Sequence, residues 1–148
     1  MTDKVYMAGP VDNVVDKGYN WRYKLQQEYP HIKWRDPLYK YNEHPSNLNI
    51  QFSDERFYDD RGVSSAWIVD NDKHSIRNCG VLLVNTDDVV SVGTPMEMLY
   101  ANILDIPVVT CYQGDNLSPW MYHHSTLLFD ELDNSVNAAK NIAEGGKY

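Results

Sequence analysis

Gly80-Val81-Leu82-Leu83-Val84 is the most strand-like run in the chain. Its apolar side chains are consecutive, so a strand built from them has no polar face to turn to water. An antiparallel surface strand alternates; a parallel strand covered on both sides does not. The run therefore predicts a buried central strand with helices above and below it. Working upstream, Lys4-Val5-Tyr6-Met7-Ala8 is a short apolar strand that stops at the turn signal Gly9-Pro10. Residues 17–29 carry Trp21, Leu25 and Tyr29 at four-residue spacing, which predicts an amphipathic helix. Ile32 to Asp36 reads as a second strand, ended by Pro37. The polar segment from Leu38 to about Ser53 has no clean period and suits a lid or binding loop. A helix is predicted from about Ser64 to Asn78, with Ala66, Trp67, Val69 and Ile76 toward the core.

Downstream, Thr94 to Leu104 reads as a helix with Met96, Leu99, Tyr100 and Ile103 on one apolar stripe. Ile106 to Cys111 and Thr126 to Phe129 are further strands, and residues 131–144 a terminal helix. Strand and helix alternate throughout. The expected fold is a single α/β domain over residues 1–148, doubly wound, with a mainly parallel sheet of about five strands and helices on both faces. This is the flavodoxin-like or Rossmann-like arrangement.

Composition narrows the function classes. The 148 residues are 43% hydrophobic and 23% charged, ordinary for a soluble globular protein. No apolar run approaches the roughly 20 residues of a membrane span, and no signal-peptide pattern opens the chain, so a cytoplasmic protein without membrane contact is expected. A net charge of -8 argues against nucleic acid as a partner. It does not argue against a small phosphorylated ligand held by a few local donors. Cys79 and Cys111 lie in or beside apolar runs and read as reduced core residues. His123-His124 has no matching carboxylates or cysteines, and adjacent histidines on a strand would point to opposite sides, so no metal site is read there.

In a doubly wound sheet, ligands bind beyond the carboxyl ends of the strands. That rule selects the loops Gly9 to Asn13, Asn85 to Gly93 and Tyr112 to Pro119. The second of these leads through Ser91-Val92-Gly93-Thr94-Pro95-Met96-Glu97, with Thr94 as the expected N-cap and Glu97 three residues on. Taken locally this is a capping box, which explains the glutamate without any function. Neither a Walker loop nor a dinucleotide fingerprint is present.

Four runs in order, Val5-Tyr6-Met7-Ala8-Gly9-Pro10, Asn71-Asp72-Lys73-His74-Ser75-Ile76, Ser91 to Ala101 and Pro107-Val108-Val109, resemble the nucleoside 2-deoxyribosyltransferase family. That family includes relatives that hydrolyse 2′-deoxynucleoside 5′-monophosphates. The resemblance covers nearly the whole chain. It implies a role in nucleotide salvage, with the N-glycosidic bond of a deoxynucleoside or deoxynucleotide as the target and no metal or organic cofactor. It implies Glu97 as the nucleophile that attacks C1′ and forms a covalent glycosyl-enzyme. It also implies Tyr6 as the phenol that orients this carboxylate and Asp72 as the acid beside the base. Gly9 and Gly93 fall in the substrate loops. Asn116 resembles an asparagine that reaches into a neighbouring subunit's site, which implies a homo-oligomer, a dimer or larger, with shared active sites.

One departure bears on the substrate. The transferases often carry an aspartate where this chain has Ser91, whereas the monophosphate hydrolases use a serine there for the 5′-phosphate. Ser118 is similar to a second phosphate-contacting serine of that branch, while Pro10 stands near where the branch has another serine. Transfer to a second base and hydrolysis therefore both remain open, as do nucleoside and monophosphate. Each residue also has a plainer reading. Glu97 is a cap, Asp72 a solvated helix carboxylate, Tyr6 a core aromatic, and Ser91 and Ser118 are ordinary turn residues. In that case the chain is a catalytically silent nucleotide-binding or sensing protein. Arg22 and Arg61 could supply positive charge, but nothing in the sequence places either in the site.

Overall fold

The computed structural model describes residues 2–11, 13–38 and 65–148. Along them run β1 (Lys4–Ala8), α1 (Tyr19–Glu28), β2 (Lys33–Arg35), α2 (Ser65–Arg77) and β3 (Val81–Thr86), followed by α3 (Gly93–Ile103), β4 (Val108–Tyr112), α4 (Pro119–His123), β5 (Leu127–Phe129) and α5 (Leu132–Ala143). The five strands form one sheet in the order β2-β1-β3-β4-β5. Every pairing is parallel. The run that begins at Val81 is the middle strand, and Val81 to Val84 are fully buried. The expected α/β architecture is the observed one.

Strand alternation sorts the interior into two layers. Val5 and Met7 of β1 join Val81, Leu83 and Val109 against Leu25 of α1 and Val136, Ala139 and Ile142 of α5. Tyr6 and Ala8 point the other way, with Leu82, Val84 and Val108, against Ile76 of α2 and Met98 and Ala101 of α3. A period of two along β1 thus decides that Tyr6 faces the α2–α3 layer. Cys79 and Cys111 are buried and free, and burial pushes the Cys79 thiol up to about 11.

The strand order reverses between β1 and β3. The chain steps outward from β1 to β2, then returns to lay β3 on the other side of β1. The crevice outside the carboxyl ends at such a switch point is where ligands of this architecture bind.

Several expectations are corrected. The cap of α3 is not Thr94. The helix begins at Gly93, Val92 occupies the N-cap position without a side-chain bond, and Ser91 Oγ accepts from the Thr94 amide at 3.3 Å. Ser91 also pairs with Thr94 Oγ1 at 3.0 Å. Gly93 supplies a helical residue before the threonine, so Glu97 sits too deep in the helix for the capping-box position. On α2, Ile76 is buried as expected, but Trp67 and Val69 are 42% and 47% exposed, and Ala66 is exposed too. Only the last turns of that helix lie on the sheet; its start carries an apolar face to the cavity described below. On α3 the buried residues are Thr94, Met98 and Ala101, while Met96, Leu99 and Ile103 are exposed. The apolar stripe read from the sequence lines the cavity. The short helix α4 was not anticipated, because Ser118-Pro119 reads equally well as a turn. His123 and His124 sit at its end, not on a strand, and His124 Nδ1 lies 2.7 Å from the Trp120 carbonyl oxygen. Of the polar segment from Leu38 to Ser53 only Leu38 falls among the described residues, and Arg61 falls outside them.

Candidate active site

The crevice at the switch point opens into a cavity of about 410 Å³. The loop after β1 contributes Gly9, α1 contributes Arg22, α2 contributes Asp72 and Lys73, and the β3–α3 connection with the first turns of α3 contributes Ser91, Gly93, Thr94 and Glu97. The rest of the wall is mainly apolar, with Ile68, Val69, Ile76, Met96, Leu99 and Ile103 beside Tyr100. Apolar walls with a few convergent polar groups are the usual form of a small-molecule site.

Glu97 is the centre of this arrangement. Its Oε2 accepts a short hydrogen bond from the Tyr6 phenol, across 91 residues of sequence. Tyr6 itself has no exposed surface. Burial first, then the negative charges of Glu97 and Asp72, push the phenol well above its ordinary range. Tyr6 is consequently a fixed donor at neutral pH, not a base, and its proton is aimed at the carboxylate. The plain reading of Tyr6 as a core aromatic is half right, since its ring fills the α2–α3 layer while its oxygen serves Glu97.

The glycines are placed by close approach. At Gly9 a Cβ would meet the Asn85 carbonyl oxygen at 2.6 Å, so the loops after β1 and β3 pass too near for a side chain. Gly93 lines the cavity, and a Cβ there would meet nothing within 4 Å. Asn13 Nδ2 donates to the Val90 carbonyl at 2.7 Å and ties the two loops together.

Of the candidate residues, Tyr6, Asp72 and Glu97 converge here with Gly9, Ser91 and Gly93. Asn116 and Ser118 do not. They lie on the loop after β4, where the Asp88 carboxylate accepts from the Asn116 and Asp115 amides at 3.3 and 2.8 Å and from the Tyr112 phenol. These hydrogen bonds hold the Asp88 carboxyl below its ordinary range, the Asp115 amide contributing most. Ser118 caps α4, its Oγ accepting from the Trp120 amide at 3.2 Å. Both residues stand exposed.

Compared with protein-family models and with curated proteins, the chain matches none. The roles of its residues rest on their own geometry.

Two cavity residues are placed by the structure and not by the sequence. Arg22 is 1% exposed and lines the cavity, yet arginine is seldom interior. The available signal was its spacing of three from Leu25, which puts both on one helix face. Lys73, beside Asp72, brings a cation to the cavity wall with its Nζ 5.5 Å from the centre of the Tyr100 ring. Among the described residues no three His, Cys, Asp or Glu side chains gather as a metal site would require, and no helix is long and apolar enough to cross a membrane.

Proposed function

We propose that this protein cleaves the N-glycosidic bond of 2′-deoxynucleosides or their 5′-monophosphates through a covalent glycosyl intermediate on Glu97. The observation that carries the reading is the Tyr6–Glu97 hydrogen bond at the floor of a cavity that Asp72 also lines. A carboxylate with one oxygen held by a buried phenol has its other oxygen oriented for attack. Glu97 forms a bond to C1′ as the C1′–N bond breaks, and Asp72 gives a proton to the departing base. The transition state carries oxocarbenium character, which the negative charge of Glu97 stabilises, as in retaining glycosidases. In the second half of the reaction a new nucleobase, or water, gives a proton back to the Asp72 carboxylate as it bonds to C1′ and displaces Glu97. Transfer to another base is the leading form, and hydrolysis the alternative. The apolar α2–α3 wall suits the flat face of a base, and Ser91, Gly93 and Thr94 at the head of α3 suit oxygens of the sugar or its phosphate. Asn116 and Ser118, exposed and outside the cavity of their own chain, fit the expectation that they complete a neighbour's site in a homo-oligomer.

The test is chromatographic. Each deoxynucleoside and each deoxynucleoside monophosphate is incubated with the protein, with and without a second free base. New nucleoside means transfer, and free base with free sugar or sugar phosphate means hydrolysis. Glu97→Gln should lower the rate about 10³-fold or more. Asp72→Asn should cost about 10²–10⁴-fold on natural bases and far less on a substrate whose leaving group needs no proton. Full activity in Glu97→Gln, or binding of a deoxynucleotide with no base released over long incubation, would sink the proposal in favour of a silent binding protein.

A further inference from the structure

Arg22 is held in a way that packing alone does not require. Its guanidinium donates from Nη1 to the Gly18 carbonyl at 2.8 Å, from Nη2 to Gly9 at 3.1 Å and from Nε to Met7 at 3.2 Å. The Asp36 carboxylate lies 3.9 Å from Nε. Met7 and Gly9 bracket the end of β1, immediately after Tyr6, and Gly18 opens α1 with φ of 74°. One rigid fork thus ties the end of β1 to the start of α1, two segments that the packing of Leu25 on Val5 and Met7 also brings together. Burying a cation is costly, and an apolar side chain in its place would commonly be as stable. The burial therefore points to what the charge does for the cavity it lines.

We propose that Arg22 is a positioning residue for the reaction: it clamps the end of β1 so that the Tyr6 phenol meets Glu97, and it sets a buried charge in the cavity wall that it shares with that carboxylate. Among the described residues, the ionisable groups around the cavity are Tyr6 from β1, Arg22 from α1, Asp36 beyond β2, Asp72 and Lys73 from α2, and Glu97 and Tyr100 from α3. Burial lowers the hold of Arg22 on its proton, and the charges of Asp36, Glu97, Tyr6 and Asp72 offset this in that order. Arg22 and Glu97 line one cavity, so the buried charge favours the ionised form of that carboxylate. Two carboxylates in one site need different environments if one is to attack and the other to donate a proton. Lys73 is next to Asp72 on α2, but Arg22 is the buried member of the two cations and so the less screened.

The inference rests on the proposed reaction only for its kinetic part, and the experiment separates the two. The ¹³C-carboxyl resonances of Glu97 and Asp72 are titrated by NMR in the wild-type, R22Q and R22K proteins without substrate. In R22Q the Glu97 midpoint should rise by about one pH unit. In R22K, which keeps the charge, it should stay near wild type. For turnover, R22Q should lose about 10-fold in kcat with KM within about 2-fold, and its acid limb should move with Glu97. Equal Glu97 midpoints in all three proteins, or a loss confined to KM, would overturn the proposal. If R22Q does not fold, R22K decides alone. Its buried amine should add an alkaline limb to kcat that arginine lacks, and an unchanged alkaline profile would overturn the proposal. A wild-type protein that releases no base would refute the reaction and leave the titration result standing.

Discussion

At the scale of single residues, the Tyr6–Glu97 bond separates two roles that the sequence allowed equally. A phenol that only filled the core could be replaced by phenylalanine at little cost to turnover. A phenol that orients a charged nucleophile contributes a hydrogen bond worth about 1.5–3 kcal/mol, so Tyr6→Phe should lower kcat by about 10–100-fold with little change in KM. The same substitution has a signature in stability. The folded-state pKa of Tyr6 is raised, by burial and then by the Glu97 charge, above that of an unfolded tyrosine near 10. Its contribution is fully present below pH of about 10 and is lost as pH rises through the folded value. Thermal melts of the wild-type protein should therefore weaken above pH of about 10, and Tyr6→Phe should flatten that part of the profile.

At the scale of elements, the head of α3 divides structural from functional work between neighbouring positions. Ser91 caps the helix, so Ser91→Ala should cost about 1 kcal/mol and lower Tm by a few degrees. Gly93 faces open cavity, so Gly93→Ala should leave Tm unchanged or raised while increasing KM, because the added methyl group takes substrate space. Melting curves and steady-state kinetics on the two variants check both halves. These positions also show what was legible in the sequence. Apolar runs such as Val81 to Val84 give strands away because burial on both faces leaves one pattern, and the five-strand order of elements followed. Loop chemistry is less legible. Ser91 and Thr94 are both good caps, and only the backbone path decides between them. Helix faces are legible as stripes but not as destinations, since a cavity wall and a core interface demand the same apolar residues; hence Val69 is expected toward the core and is found on the cavity. Arg22 was hidden because its partners are backbone carbonyls of Met7, Gly9 and Gly18, which carry no letter of their own.

At the scale of the whole molecule, the proposed shared site makes a prediction that no single chain can satisfy. If Asn116 or Ser118 completes a neighbour's cavity, Glu97→Gln and Asn116→Ala proteins, each impaired alone, should regain activity when unfolded together and refolded as a mixture. Sedimentation at assay concentration should show more than one chain per particle, and a fully active monomer would contradict the arrangement. The path of the chain has one more consequence. Tyr6 and Glu97 stand 91 residues apart and meet only because β1 and β3 pair in the middle of a sheet whose every ladder is parallel. Parallel pairing is non-local, and the entropy of closing so long a loop must be met before the contact gives anything back. The site therefore has no local precursor. A nascent chain cannot assemble it before α3 has been made, and after dilution from denaturant, recovery of turnover should lag behind helix formation and coincide with burial of the central strands.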